Sequence, residues 1–448
     1  MWESVSDGVI ERLNEGRVMS EKEFFEKEIA LCKTSDKRRW MIDGERYFCG
    51  EHDILKEERR AIGKDGTLTR VDNLPNNRIV DNQYQRLVNQ KVNYLLGREA
   101  MIEGENREYV KLLKKALGKN RTRDMKCLLR DAVNMGLAWI FVYTDERGEI
   151  KFKRIPAYEM IAYWKDEAHT MLDKAVRIFT VEGYEGKEAC TKEMAEVYHT
   201  DRVEVYEYTD GVLKKLEEHR YFNERGIPLV AFKYNEKEIP LIARVKSLQD
   251  ALNRTLSDFE NNMQEDARNT ILVLQNYDGT DLGEFRRNLA TYGAVKVKTV
   301  DGAPGDIKTL STDFKAENYE VMISMLKSSI VENAMGYDAK DKLGNNPNQL
   351  VIKSMFSDID LDMSEAEVEF SFAFNNLRGL IDEYFEIYGY GYFEDEAVEL
   401  IFNRDCLINE SEAIDNCIKS REILSEETVV LQHPWVKDVK EELKRRSE

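Results

Sequence analysis

Between Pro240 and Gly389 the chain lays out two long helical stretches around a short strand-rich insert, then a polar break, then a third helix. In the first stretch Leu241, Val245, Leu248, Leu252, Leu256, Phe259 and Met263 recur every three or four residues, which puts them on one face of an amphipathic helix. The other face carries Asn253, Asp258, Asn261, Asn262, Glu265 and Asp266 and reads as wet and acidic. At 1.5 Å per residue such a helix reaches roughly 40 Å, the span of a small domain. With few obvious partners in its own chain, it packs most simply against copies of itself.

At 448 residues the chain exceeds one ordinary core, so two or more domains are expected. No run of about 18 apolar residues exists, which excludes a membrane-spanning helix. The first thirty residues lack the basic-then-apolar plan of a signal peptide, so an internal origin is expected. Six cysteines without paired spacing read as reduced, mostly buried thiols, with no disulfide framework or zinc site. The formal net charge of −19 argues against adhesive binding of nucleic acid, which needs clustered Lys and Arg. It still permits a protein past which DNA moves, because an acidic wall repels phosphates.

Along the chain, helical stripes appear at Leu87, Val88, Val92, Leu95 and Leu96, then at Val110, Leu113 and Leu117, then at Leu128, Leu129, Ala132 and Val133. From Leu137 to about residue 235 the period changes to two, with turn signals at Asp145–Gly148 and Asp210-Gly211, which predicts an antiparallel β subdomain. Residues 269–312 read as a compact α/β insert. Helix resumes with Tyr319, Met322, Ile323, Leu326, Ile330 and Val331 on one face. A final long helix is expected from about Gln349 to Tyr388, then a strand at Ala397–Phe402 and three short helices beyond Asn409.

No phosphate-cradling glycine loop, paired metal-spaced histidines or Gly-x-Ser-x-Gly elbow occurs. Asp358, Asp360, Asp362, Ser364 and Glu369 fall at positions 1, 3, 5, 7 and 12 of a calcium loop, but position 6 is Met363 where the sharp turn needs glycine. A continuous helix with a solvated acidic face is the expected reading. Nine Lys/Arg between Arg107 and Arg130 read as a solvated helix pair, with contact to nucleic acid or an acidic neighbouring subunit as the alternative. Arg286, Arg287, Lys296, Lys298 and Lys308 in the insert are sparser and fit subunit or DNA contact equally. Two Gly, one Pro and three Asn between Gly336 and Asn348 form a polar break longer than most helix–helix connections, fit to project from an assembly.

Four stretches, "NNRIVDNQYQRLVNQKVNYLLGRE", "LIARVKSLQDALNRTLSDFENNMQEDARNTILVLQN", "GNNPNQLVIKSMFSDIDLDMSEAEVEF" and "SEAIDNCIKSREILSEETVVLQHPWV", make the chain resemble portal proteins of tailed bacteriophages, of the kind in siphophages and prophages of Gram-positive bacteria. The resemblance runs from about residue 45 to 440. It implies a mainly helical α+β fold: a wing of helices plus an antiparallel β subdomain, a helical stem, a small α/β clip, a kinked long helix and a short helical crown. Carried onto this chain, 1–239 and 349–407 are wing, 240–268 and 313–336 stem, 269–312 clip, 337–348 tunnel loop and 408–448 crown.

The resemblance further implies a homo-oligomeric ring, usually of twelve subunits, although isolated rings of other sizes or monomers occur. The ring sits at one capsid vertex of the virion after assembly in the host cytoplasm. Double-stranded DNA passes through without sequence specificity. Terminase large subunit docks at the clip, then head-completion or adaptor proteins, with major capsid and scaffolding proteins as further partners. No cofactor, metal, membrane or hydrolytic activity is implied. Asp258, Glu265 and Asp266 are the candidate stem lining. Lys340, Lys342, Asn345, Asn346 and Asn348 are the candidate tunnel-loop residues, and Arg286, Arg287, Lys296 and Lys298 the candidate docking residues. The competing classes are a metal-dependent nucleic-acid enzyme built on Asp358–Asp362 and a helical scaffold without a channel.

Overall fold

The computed structural model describes residues 19–62, 66–70, 75–186, 188–266, 271–275, 306–310, 316–338, 349–404, 410–436 and 439–447. Within these, the chain forms two compact units, one drawn from 1–51, 82–246 and 330–448, the other from 52–81 and 247–329. Among the described residues no helix is long and apolar enough to cross a membrane.

In the first unit, α1 (Glu21–Thr34) starts on a capping box. The Ser20 hydroxyl accepts the Glu23 amide and the Glu23 carboxylate accepts the Ser20 amide, satisfying two otherwise orphaned donors. Ser35 ends α1 and caps α2 (Asp36–Phe48). The expected stripe at Leu87, Val88, Val92, Leu95 and Leu96 is fully buried on α3 (Gln83–Leu96), capped by Asn82. The pair α4 (Arg107–Leu117) and α5 (Arg121–Met135) follows, buried through Tyr109 and Leu113, and through Leu128, Leu129, Ala132 and Val133. Gly136, at φ 84°, ends α5. A Cβ there would meet the Glu238 carbonyl oxygen at 2.1 Å, so only glycine fits.

The β region is antiparallel throughout. A three-stranded sheet is ordered β11 (Leu229–Lys233), β4 (Leu137–Thr144), β5 (Ile150–Ile155). A five-stranded sheet runs β10 (Val212–Arg220), β9 (Arg202–Thr209), β8 (Glu188–Tyr198), β7 (Leu172–Glu185), β6 (Met160–Trp164). Asp210 and Gly211 both take positive φ between β9 and β10, matching the strand twist of a two-residue hairpin. Trp139, Met160, Ala175, Tyr198 and Leu229 share one core, and Phe25, Ile29, Val176, Ala195, Val197 and Leu213 another, so α1 covers one face of the larger sheet.

The expected last long helix is broken in two: α8 (Gln349–Met355) and α9 (Ser357–Ile387) meet at Phe356, at φ −94° and ψ 1°. Phe232 of β11 packs edge-on against Phe370 of α9 at 5.2 Å, setting α9 on the three-stranded sheet. The strand β14 (Val398–Ile401) pairs with β3 (Met101–Gly104), tying distant parts of the sequence. Three short helices close the chain: α10 (Glu410–Ser420), α11 (Glu426–Leu431) and α12 (Val439–Ser447).

In the second unit β1 (Arg60–Ile62) pairs with β2 (Leu68–Arg70), and β12 (Ile271–Gln275) with β13 (Asp306–Leu310). The strand at Asp306–Leu310 lies within the stretch the sequence reads as an α/β insert. Helices α6 (Ile242–Asp266) and α7 (Ala316–Asn333) each begin or end in the first unit and run mostly in the second.

The thiols differ from expectation. Of the five described, only Cys417 is buried; Cys49 is exposed and Cys32, Cys127 and Cys190 are half-buried, all free. Cys127 flanks the apolar stripe of α5 without joining it, and Cys49 stands just past the end of α2.

Candidate functional site

The polar face of α6 is not uniformly wet. Gln249, Asn253, Ser257 and Asn261, spaced four apart, are all buried. They hydrogen-bond the segment 77–81: the Asn77 amide donates to Asn261 Oδ1 at 2.8 Å, the Ile79 amide to Ser257 Oγ at 2.9 Å and the Asp81 amide to Asn253 Oδ1 at 3.0 Å. Gln249 Nε2 donates to the Asp81 carbonyl at 2.8 Å. Alternate amides of an extended chain recur about every 6.6 Å. Residues four apart on a helix recur about every 6.0 Å, so a period of two on one side can meet a period of four on the other. Asn253 Nδ2 also donates to His52 Nδ1 at 2.8 Å, which leaves that ring nitrogen as the acceptor. Asn253 and Asn261 therefore correct the expectation of a solvated face: they serve backbone groups that burial would otherwise orphan.

Asp258 is exposed on α6. Partial burial pushes its carboxyl above the ordinary range, with Arg59 and Arg254 pulling the other way. Glu265 and Asp266 lie in the last turn of α6, but their side chains fall outside the described residues. The apolar stripe is buried at Leu241, Val245 and Leu252 and is exposed by Met263. Within the second unit, α7 meets α6 through Tyr319, whose ring lies 5.3 Å from Phe259 and whose hydroxyl accepts from Asn262 Nδ2 at 2.9 Å. Lys327 pairs with Asp81 at 2.7 Å. The expected stripe of α7 is only partly covered: Leu326 and Ile330 are buried, Tyr319, Ile323 and Val331 are half-buried and Met322 is exposed, while Val321 and Met325, outside the stripe, are exposed as well.

The residues before the polar break are held by α3. Gln90 Nε2 donates to the Tyr337 carbonyl at 2.8 Å and Gln90 Oε1 accepts the Tyr337 amide at 3.1 Å. Arg86 pairs with Asp338 at 2.9 Å. Helix α7 ends in a Schellman motif, Gly336 amide to Val331 carbonyl and Met335 amide to Glu332 carbonyl, with Met335 at φ 51° where glycine is usual. Beyond the break, Phe356 packs on Tyr337 at 4.5 Å and stacks on Tyr94 of α3 at 6.1 Å. One helix thus grips both flanks of residues 339–348. Lys340, Lys342, Asn345, Asn346 and Asn348 lie outside the described residues, as do Arg286, Arg287, Lys296 and Lys298.

The calcium-like run lies on continuous helix with Asp358 exposed as expected, but Asp362 departs from the solvated face. Asp362 is buried and accepts from Lys91 Nζ at 2.6 Å, from Arg244 Nη1 at 2.6 Å and from the Tyr234 hydroxyl. Lys91 also donates to the Met335 carbonyl at 3.1 Å. Burial pushes the Asp362 carboxyl up, yet Lys91, Tyr234 and Arg244 together hold it below the usual carboxylate range. Burial pulls the Lys91 ammonium below its ordinary value despite Asp362. Asp360 is engaged by Tyr94 and Arg404. These bonds occupy Asp360 and Asp362, two of the acids on which a metal-dependent enzyme would be built. Among the described residues no group of three or more His, Cys, Asp or Glu could hold a metal.

The Asp362 cluster and the polar row of α6 each have a signal in the sequence. Lys91 follows Leu87 by four and Val88 by three, on the buried stripe of α3, and a lysine there needs a buried acid. Asn253, Ser257 and Asn261 at intervals of four form a continuous polar row.

Residues 32–448 match the family described as phage portal protein, SPP1 Gp6-like. The portal protein of Clostridium phage phiCD119 is 25% identical over 425 residues, covering 90% of this chain and 91% of that protein. The portal protein of Bacillus phage SPP1 is 25% identical over 458 residues, covering 98% and 90%. Looser likenesses link the chain to the neck of the empty GTA particle (TM-score 0.46, 11% identity) and of the native GTA particle (TM-score 0.45, 12% identity), each over 78% of this chain and 89% of the other. The match across nearly the whole length identifies the chain as a member of the SPP1 Gp6-like family of phage portal proteins.

Proposed function

We propose that the chain assembles into a closed homo-oligomeric ring at one capsid vertex, through which double-stranded DNA is packaged and later ejected. The observation that carries the ring is α7: Val321, Met322 and Met325 stay exposed on a helix whose Leu326 and Ile330 are buried. A head-to-tail contact that closes by rotation covers such residues once per subunit and leaves no free edge. In this reading α6 and α7 are stem, 269–312 clip, 337–348 tunnel loop and 408–448 crown. Asp258, Glu265 and Asp266 line the bore, where carboxylates repel phosphates and let the duplex slide. Lys340, Lys342, Asn345, Asn346 and Asn348 approach the DNA from the tunnel loop. Arg286, Arg287, Lys296 and Lys298 receive terminase large subunit and then the head-completion or adaptor protein, while capsid and scaffolding proteins seat the ring.

The role is structural, the translocation motor being supplied by the terminase. The direct test is DNA packaging with portals carrying Asp258→Lys together with Glu265→Lys. Packaging should slow or stall while rings still form. Unchanged packaging would remove the lining role.

A further inference from the structure

Between Arg107 and Lys126 eight Lys/Arg stand against only Glu108 and Asp124, in a chain of net charge −19. Arg121 pairs with Glu99. The other seven, Arg107, Lys111, Lys114, Lys115, Lys119, Arg123 and Lys126, form no side-chain hydrogen bond or ion pair among the described residues. Five of them are exposed, and Lys114 and Lys126 half-exposed. On α4 the cations at 107, 111, 114 and 115 fall within about 100° of one another on the helical wheel, opposite the buried Tyr109 and Leu113.

We infer that the α4–α5 hairpin is a sequence-independent contact for the phosphate backbone of duplex DNA. Helix energetics do not account for the charges. Lys114 and Lys115 suit the C-terminal end of α4, but Arg121 and Arg123 stand in the first turn of α5, where the macrodipole disfavours cations. An acid-rich chain has ample carboxylate to neutralise the row, yet leaves it open.

Composition decides between a nucleic-acid and a protein partner. Protein interfaces are depleted in Lys and anchored by buried aromatic or Arg side chains. Here five of the seven free cations are Lys, and no large exposed hydrophobic residue occurs between Met101 and Tyr143. Mostly lysine cations on flexible stems, spread over about 12 Å from Arg107 to Lys115 along α4, suit diffuse phosphate neutralisation. The inference rests on the portal reading only for the presence of duplex DNA beside the protein.

The test uses the full chain, a fluorescently labelled random-sequence duplex and anisotropy over a salt series. Lys111→Gln/Lys114→Gln/Lys115→Gln should weaken binding about tenfold or more at low salt and lower the salt slope by about 2 to 3. Removing equal charge with Lys22→Gln/Lys214→Gln/Lys237→Gln should leave the slope nearly unchanged, and replacing the three α4 lysines by Arg should restore binding. Equal losses in both triple variants, or no duplex binding by the natural chain, would overturn the inference. So would a hairpin variant that keeps its duplex affinity but loses subunit association, which would assign the row to a neighbouring copy. Rings formed with duplex affinity indifferent to the hairpin would sink this proposal and leave the portal reading standing.

Discussion

Gln90 and Tyr337 exchange two hydrogen bonds, the Gln90 amide donating to the Tyr337 carbonyl at 2.8 Å and accepting the Tyr337 amide at 3.1 Å. A single side chain thereby satisfies both backbone groups of a residue two positions before the 339–348 segment. Replacing Gln90 by Ala should cost about 1 to 3 kcal/mol, because two backbone groups lose their partners. Limited proteolysis is the informative readout: cleavage within 337–348 should accelerate in the variant while β-sheet signal in circular dichroism holds. An unchanged cleavage rate would mean that Phe356 stacking and the Arg86–Asp338 pair fix the flanks alone.

Asp362 neutralises two cations at once, so its loss should exceed the loss of either partner. Asp362→Leu strands Lys91 and Arg244 without their acid and should cost roughly 3–5 kcal/mol. Lys91→Met leaves Asp362 with Arg244 and Tyr234 and should cost less. Urea unfolding of the two variants checks the order, and a reversed order would contradict the shared-acid arrangement.

Burial raises the Asp382 carboxyl to about 6, against the Tyr109 hydroxyl that donates to it at 2.6 Å and the nearby Arg378. An unfolded Asp titrates near 3.9. Between these values the folded state holds more protons than the unfolded one, so this contribution is fully present below about pH 4 and is lost as pH rises through 6. Asp382→Asn keeps an acceptor for Tyr109 and cannot ionise. Denaturant titrations at pH 4.5 and 6.5 should show the variant losing less stability over that interval, by on the order of 2 kcal/mol. Equal losses would place the titration on another group, Asp131 being the first candidate because burial raises it to about 6 as well.

Asn253→Leu removes the acceptor for the Asp81 amide and the donor to His52 in one step. A cost of about 2–3 kcal/mol is expected, against about 1 for Ser257→Ala, which opens the Ile79 amide and drops the hydroxyl's own bond to the Asn253 carbonyl. Hydrogen exchange at Ile79 and Asp81 separates the two: each variant should expose its own amide first.

Apolar spacing made the helices legible, because Leu87 to Leu96 and Leu128 to Val133 bury as their period demands. The β region was equally legible, since Asp210-Gly211 fixes its turn by chemistry alone. Polar burial was harder to read. Asn253 and Asn261 look wet in a one-dimensional pattern, and only the arrival of the segment 77–81 from 172 residues or more away in sequence makes them structural. Asp362 misled for the same reason: a carboxylate on a helix reads as solvated until Lys91, 271 residues distant, is folded against it. The position of the kink at Phe356 has no glycine or proline to announce it; there the ring stacks on Tyr94 and packs tilted against Tyr337.

Negative-stain imaging of the full chain, purified alone and after co-expression with the capsid and scaffolding proteins proposed as its partners, is the most direct measurement. Closed rings with a central opening are expected, and Met322→Asp/Met325→Asp should shift them to monomers. Rods, or monomers alone under both conditions, would contradict the ring.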